Sequence, residues 1–121
     1  MARLINLKTF SDQRGNLTVI EKVIPFEIKR IFYIYGVDDS IRGGHRHHRT
    51  IQAAICLKGS CVVSNNNGLH KEDFYLDQPS KCLIIEPNDW HAMHHFTEDA
   101  ILMVLASEYF DSEDYIYEEY Q

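Results

Sequence analysis

Short runs of β-branched and aromatic residues, cut repeatedly by Gly, Pro and Asn, constrain this chain more than any other feature. Arg30 to Tyr35 stops at Gly36, and Gln52 to Leu57 stops at Lys58-Gly59. Ser60 to Ser64 runs into Asn65-Asn66-Asn67-Gly68, a strong turn signal. Phe74-Tyr75-Leu76 leads to Pro79, Lys81 to Glu86 ends at Pro87-Asn88-Asp89, and Ala100 to Ala106 is a further apolar run. Near the start, Leu4 to Phe10 and Asn16 to Glu21 read as two strands joined through Ser11 to Gly15. No stretch keeps a helical period over three turns. Many short strands between turn signals predict an all-β sandwich or barrel. From about Ser112 the chain turns acidic and aromatic, with Glu113, Asp114, Tyr115, Tyr117, Glu118, Glu119 and Tyr120. That tail can be a short helix, an extended arm or disordered. Its Tyr residues favour packing on something and its charges favour a solvated edge.

The 121 residues are one domain's worth of chain, so residues 1–121 are expected to form a single domain. A 45% hydrophobic content supplies a core. With 12 Lys+Arg against 18 Asp+Glu the formal charge is −6, and no basic stripe is present, which argues against nucleic acid or an anionic membrane surface as partner. The run Ala100 to Ala106 is too short to cross a bilayer. Residues 1–8 lack a signal-peptide core, so a cytoplasmic location is expected. Cys56, Cys61 and Cys82 are odd in number and form no Cys-x-x-Cys pair, which predicts buried thiols rather than a disulfide framework or a zinc ribbon.

Histidine is the unusual residue. Six of the seven fall in two clusters, His45, His47 and His48, then His91, His94 and His95. His45 and His47 leave the same face of a strand. His-x-His, four residues, Gln52, six residues and Gly59 resembles the first cupin motif, with Gln52 where that motif normally has Glu. Pro87-Asn88-Asp89-Trp90-His91 resembles the second. Together they aim His45, His47, Gln52 and His91 into one barrel. Two chemistries fit. Three imidazoles with Gln52 as fourth ligand could hold a divalent ion, although Gln in place of Glu removes the only negative ligand. Alternatively the histidines hold no metal and move protons inside a shielded barrel. A barrel that only hydrogen-bonds a ligand is the third reading.

Several segments resemble one cupin group, the nucleotide-sugar 3,4-ketoisomerases that act on dTDP-4-keto-6-deoxyglucose. They are Asp12-Gln13-Arg14-Gly15, Ile24-Pro25-Phe26-Glu27-Ile28-Lys29-Arg30-Ile31-Phe32-Tyr33-Ile34, Arg42-Gly43-Gly44-His45-Arg46-His47, Cys56-Leu57-Lys58-Gly59-Ser60, Trp90-His91-Ala92-Met93-His94-His95-Phe96 and Val104-Leu105-Ala106-Ser107-Glu108-Tyr109-Phe110-Asp111. Order and spacing hold from near residue 5 to about residue 117. Phe32 stands where the group carries Tyr, and His48 where relatives carry Lys. The resemblance implies a cupin jelly-roll barrel, a homodimer that exchanges N-terminal strands, and catalysis with no metal or other cofactor. It further implies a role in deoxyamino-sugar synthesis for surface glycans, with an aminotransferase acting next.

In that reaction the ketone of the dTDP-linked sugar moves from carbon 4 to carbon 3 through an enediolate. The hydrogen on carbon 3 is acidified by the neighbouring carbonyl, so a base, a donor at carbon 4 and oxyanion stabilisation suffice. The resemblance makes His45 the main acid–base residue. His47 is then a second proton carrier, an oxyanion holder or a residue that orients His45. The diphosphate calls for a cation, and Arg42 beside Gly43-Gly44 is the expected one, ahead of Arg14, Arg30 and Arg46. Tyr33, Tyr35 and Trp90 are candidates for the thymine face. Galacto-type members carry Arg and His where Arg14 and His91 stand, which implies dTDP-3-keto-6-deoxygalactose as product. A metal-dependent cupin enzyme, a sugar-nucleotide epimerase and a non-catalytic binding module are the alternatives.

Overall fold

A computed structural model describes residues 1–121. Twelve strands follow one another: β1 (Arg3–Asn6), β2 (Lys8–Asp12), β3 (Gly15–Val19), β4 (Arg30–Ile34), β5 (Arg42–His47), β6 (Gln52–Lys58), β7 (Cys61–Asn66), β8 (Lys71–Leu76), β9 (Lys81–Ile85), β10 (Trp90–His94), β11 (Ile101–Ala106) and β12 (Tyr115–Ile116). A 3-10 turn, Ser112–Asp114, precedes β12. No helix is long and apolar enough to cross a membrane. One antiparallel sheet runs β1-β9-β6-β11-β4 and a second runs β12-β5-β10-β7-β8, while β2 and β3 form a separate hairpin. This is the expected all-β jelly-roll sandwich.

The central strands of the first sheet, β6, β9 and β11, are buried on both faces, which explains why they read as continuous apolar runs rather than alternating ones. Ala54, Cys56, Leu83, Ile85, Leu102 and Val104 point inward and meet Cys61, Val63, Phe74, Leu76 and Met93 of the second sheet. Ala53, Ile55, Cys82, Ile84 and Leu105 point outward and are covered by Leu7, Ile24 and Phe26. All three cysteines are free and buried, as expected.

One segment differs from the sequence reading, and a second takes a form that the reading left open. The expected strand Leu4 to Phe10 breaks at Leu7, whose amide donates to the Ser80 carbonyl (2.7 Å) and whose side chain is buried. Beyond that anchor the chain leaves the sheet, so β1 pairs with β9 while β2 turns away to pair with β3. The acidic tail is a helical turn followed by a strand. Asp111 caps the turn by accepting from the Glu113 amide (3.0 Å), and Tyr115–Ile116 then adds to β5.

Candidate active site

The histidines meet because of strand pairing. His91 of β10 lies directly opposite His45 of β5, and Tyr115 of β12 lies opposite His47 on the other side of the same strand. The His45 ring centroid is 4.9 Å from that of His47, 5.0 Å from His91 and 4.6 Å from Tyr115. Residues 42 and 45 are an odd number apart and would leave opposite faces of a regular strand. The register of β5 against β10 shifts by one residue between His91 and Ala92, opposite Gly43 and Gly44. That bulge restores a common face, so Arg42 and His45 line the same cavity. Both glycines carry positive φ (80° and 76°), and a Cβ on Gly43 would sit 3.1 Å from the His91 carbonyl.

The cavity holds about 270 Å³ and is walled by His45, His91, Gln52, Arg30, Arg42 and Tyr115 on its polar side. Phe32, Ile34, Ala54, Ile85, Met93 and Val104 supply the apolar side. It has room for one sugar-sized ring rather than a whole nucleotide sugar. His47 sits behind this wall, only 3% exposed.

Hydrogen bonding fixes the tautomers. The His91 Nδ1–H donates to the Asp89 carbonyl (3.0 Å), because a carbonyl can only accept. The His47 Nδ1–H donates to the Asp114 carboxylate (3.0 Å). Both Nε2 atoms therefore carry lone pairs, and both are buried with no hydrogen-bond partner. Asp114 is 1% exposed and also accepts from the Thr50 hydroxyl (2.5 Å), the Thr50 amide (3.3 Å) and the Arg49 amide (2.8 Å). Burial pushes its carboxyl pKa up, but the donors from Thr50, Arg49 and His47 outweigh it and hold the net value below the usual carboxylate range.

Burial also sets the charge of the histidines. It is the largest cause pushing His45 down to about 4, followed by the neighbouring His47. Burial likewise pushes His91 down to about 3. Burial lowers His47 too, partly offset by Asp114. All three rings are neutral at pH 7, and each offers a lone pair or a single N–H. Their nitrogens lie within 4.8 Å of one another, so the trio also has the geometry to hold a divalent ion, with no carboxylate among the donors.

The other expected site residues divide. Arg42 and Gln52 line the cavity and Tyr33 borders it. Arg42 also borders an adjoining groove of about 200 Å³ formed with Tyr35, Gly36, Val37, Asp38 and Ser40. Tyr33 and Tyr35 stack on each other, centroids 5.9 Å apart. Trp90 is held elsewhere, its Nε1–H donating to the Tyr117 carbonyl (3.1 Å) on the outer face of the second sheet. Arg14 stands at the tip of the β2–β3 hairpin, its side chain 85% exposed and paired with Asp12 (2.6 Å). The sequence reading missed Asp114 and Tyr115 as site residues, and ranked Arg30 low. The one available signal was the run of Tyr residues in the tail.

The family described as FdtA, WxcM-like, C-terminal, matches residues 1–121. The chain is 44% identical over 117 residues to a TDP-4-oxo-6-deoxy-alpha-D-glucose-3,4-oxoisomerase of Aneurinibacillus thermoaerophilus, covering 94% of this chain and 84% of the relative. The crystal structure of QdtA, a sugar 3,4-ketoisomerase from Thermoanaerobacterium thermosaccharolyticum in complex with TDP, superposes with a TM-score of 0.92 at 44% identity, covering 97% of this chain and 88% of QdtA. Two variants of QdtA match equally well. One replaces a His by Asn and is in complex with TDP-4-keto-6-deoxyglucose. The other replaces a Tyr by Arg and an Arg by His and is in complex with TDP. WlaRA, a TDP-fucose-3,4-ketoisomerase from Campylobacter jejuni, has a TM-score of 0.89 at 39% identity, covering 97% of this chain and 89% of its own.

Proposed function

The chain belongs to the FdtA, WxcM-like family, and from that premise we propose that it moves the keto group of dTDP-4-keto-6-deoxyglucose from carbon 4 to carbon 3. The observation that carries this reading is a sugar-sized cavity walled by His45 and His91, with His47 and Asp114 directly behind. His45 is the base. Its neutral imidazole takes the proton from carbon 3, exchanges it with solvent, and delivers a proton at carbon 4. The enediolate is met by Arg30, whose guanidinium lies over Phe32 (4.6 Å) and faces the cavity. Asp114 keeps the His47 Nε2 lone pair turned toward the other two rings. His47 is thereby the second proton carrier, offering its lone pair to His45 from behind the cavity wall. Gln52 offers hydrogen bonds to the sugar.

Arg42 borders both the cavity and the Tyr35 groove, which supports a continuous track. The sugar enters the cavity, the diphosphate meets Arg42 at its mouth, and the thymine lies along the groove against Tyr35 and Tyr33. Trp90 faces the tail and takes no part in this track.

The active species is a homodimer. The β2–β3 hairpin carries Phe10 (53% exposed) and Leu17 (58%), apolar surface that a second copy would cover. Arg14 at its tip does not line the cavity of its own chain and is assigned to that of the other copy. With Arg14 and His91 the chain carries the residue types that the double variant of QdtA introduces. We take them to direct the proton to the face that gives dTDP-3-keto-6-deoxygalactose. The 1–121 unit acts as one cupin domain in the cytoplasm, supplying a 3-keto sugar to an aminotransferase, and it works without metal.

Proton NMR in deuterated water with dTDP-4-keto-6-deoxyglucose tests this. Deuterium at carbon 4 of a new 3-keto sugar, unaffected by EDTA, is expected. Exchange at carbon 3 with no 3-keto product would mean an epimerase, and activity lost with chelator would mean a metal enzyme. The clustered, unpartnered Nε2 atoms of His47 and His91 are what favour that last alternative. An axial hydroxyl at carbon 4 is the expected stereochemistry.

A further inference from the structure

His94 and His95 lie at the far end of β10, outside the cavity of His45. Their Nδ1 atoms face each other at 2.5 Å, with ring centroids 4.8 Å apart and planes at 68°. A side-chain relay orients the first of them. Ser64 Oγ–H donates to the Asp73 carboxylate (2.6 Å), since that carboxylate can only accept. The hydroxyl has one proton, so its contact with His94 Nε2 (2.6 Å) must be an N–H donated by the ring. His94 is therefore the Nε2–H tautomer, with the Nδ1 lone pair aimed at His95. A carboxylate holding the outer nitrogen of an imidazole is how proteins turn the other nitrogen toward a metal ion. His95 brings its Nδ1 to the same point by adopting a left-handed backbone (φ 53°), uncommon for a residue other than Gly and typical of ligand clamps. The two rings open onto a cavity of about 290 Å³, bordered also by Asp39, Ile41 and Phe96.

We propose that His94 Nδ1 and His95 Nδ1 form a site for a divalent ion of the Zn²⁺ type, separate from the histidine trio, with water completing its coordination. Two imidazole nitrogens at ~2.05 Å from one tetrahedral ion span ~3.3 Å. The pair, now 2.5 Å apart, thus needs to part by ~0.8 Å. His95 is exposed, so its proton moves freely to Nε2 when the ion binds. The mixed nitrogen and oxygen donor set favours Zn²⁺, Ni²⁺ or Cu²⁺ over Mg²⁺ or Ca²⁺.

The test is a ZnCl₂ titration of the whole chain, followed by calorimetry and by ¹⁵N-edited NMR of the imidazole rings. The Nδ1 resonances of His94 and His95 are expected to shift together while His94 Nε2 stays protonated. His95→Ala should weaken this binding step at least tenfold. Asp73→Asn, which leaves both ligands in place, should weaken it by roughly 10- to 100-fold. Zinc shifts confined to the rings of His45, His47 and His91 would overturn the proposal. So would affinity unchanged in both variants, or no binding at millimolar zinc.

Discussion

Replacing Asp114 by Asn tests whether the tail residue directs the histidines or only holds the tail down. The carboxylate accepts from four donors, the His47 Nδ1–H, the Thr50 hydroxyl and the amides of Arg49 and Thr50. Asn keeps one acceptor oxygen and replaces the other by an NH₂ donor. If the amide oxygen stays with Arg49, the NH₂ faces His47 and Thr50. His47 then has to present a lone pair at Nδ1 and carry its proton on Nε2. The nitrogen that faced His45 as an acceptor becomes a donor, which is the wrong tautomer for taking a proton. The comparable change in a serine-protease triad costs about 10⁴ in kcat. His47 is one atom layer behind the main base, so a loss of roughly 10²- to 10³-fold in kcat is expected here, with KM moved only a few-fold. Losing two charge-assisted bonds should also lower stability by about 2–4 kcal/mol. The assay is therefore steady-state isomerisation on protein shown to be folded by its melting curve, together with ¹⁵N NMR of the His47 ring. Folded Asp114→Asn with kcat within threefold of the parent, or with His47 still protonated at Nδ1, would refute the reasoning.

His45→Asn should cut turnover by at least ~100-fold and leave binding of the dTDP-sugar nearly intact, as measured by calorimetry. Arg42→Ala should raise KM by roughly tenfold or more with kcat little changed, and an unchanged KM would remove Arg42 from the diphosphate. Refolding a mixture of inactive His45→Asn chains with Arg14→Ala chains should restore formation of the axial 4-hydroxyl product to about a quarter of its parental level, because half the dimers are mixed and each holds one intact site. No recovery would mean that Arg14 does not act across copies. On pH, the free enzyme needs a neutral His45, so kcat/KM should stay level down to about pH 5 and fall toward pH 4, where His45 titrates. An acid limb near 6.5 would contradict the burial argument. The folded-state values of His45 and His91 lie below 6.5, so the unfolded chain binds more protons beneath that pH. Stability from these groups is complete above pH 6.5 and is lost as pH falls through about 4 and then 3; melting curves across this range check it.

How much of this could be read along the chain depended on the range of the interaction. His45, His47, Gln52 and His91 were given by motif spacing, because a strand's period of two fixes which side chains share a face. The same parity failed at β4. Ile31, Tyr33 and Tyr35 alternate with Phe32 and Ile34, and both sets are apolar, so local sequence does not say which set faces the barrel. The fold turns Phe32 and Ile34 inward and leaves Tyr33 and Tyr35 exposed. Asp114 was out of reach for a different reason. It meets His47 across 67 positions of sequence, and an acidic stretch reads as solvated surface until a partner is seen. Arg14 stands out as a site residue by resemblance, yet it sits on a hairpin separate from the two main sheets and is not among the residues that line the cavity.

The low basicity of His45 poses a question about the chemistry that the site itself answers. An imidazole near 4 is a weak base in the empty protein, whereas proton transfer is best served by a value near the working pH. In the proposed reaction, however, the proton that His45 takes leaves a negative enediolate in the same low-dielectric cavity. Imidazolium and oxyanion are created together, so the step adds no net charge to a site whose burial penalises isolated charge. The same burial that depresses His45 before substrate binds strengthens its attraction to the oxyanion once the proton has moved. Asp114 contributes at one remove, by keeping His47 a lone-pair donor toward the ring that becomes charged. A water-filled cavity would raise the basicity of the free histidine and weaken this pairing. The apolar wall of Phe32, Ile34, Ile85, Met93 and Val104 is thus as much a part of the acid–base machinery as the imidazoles it surrounds.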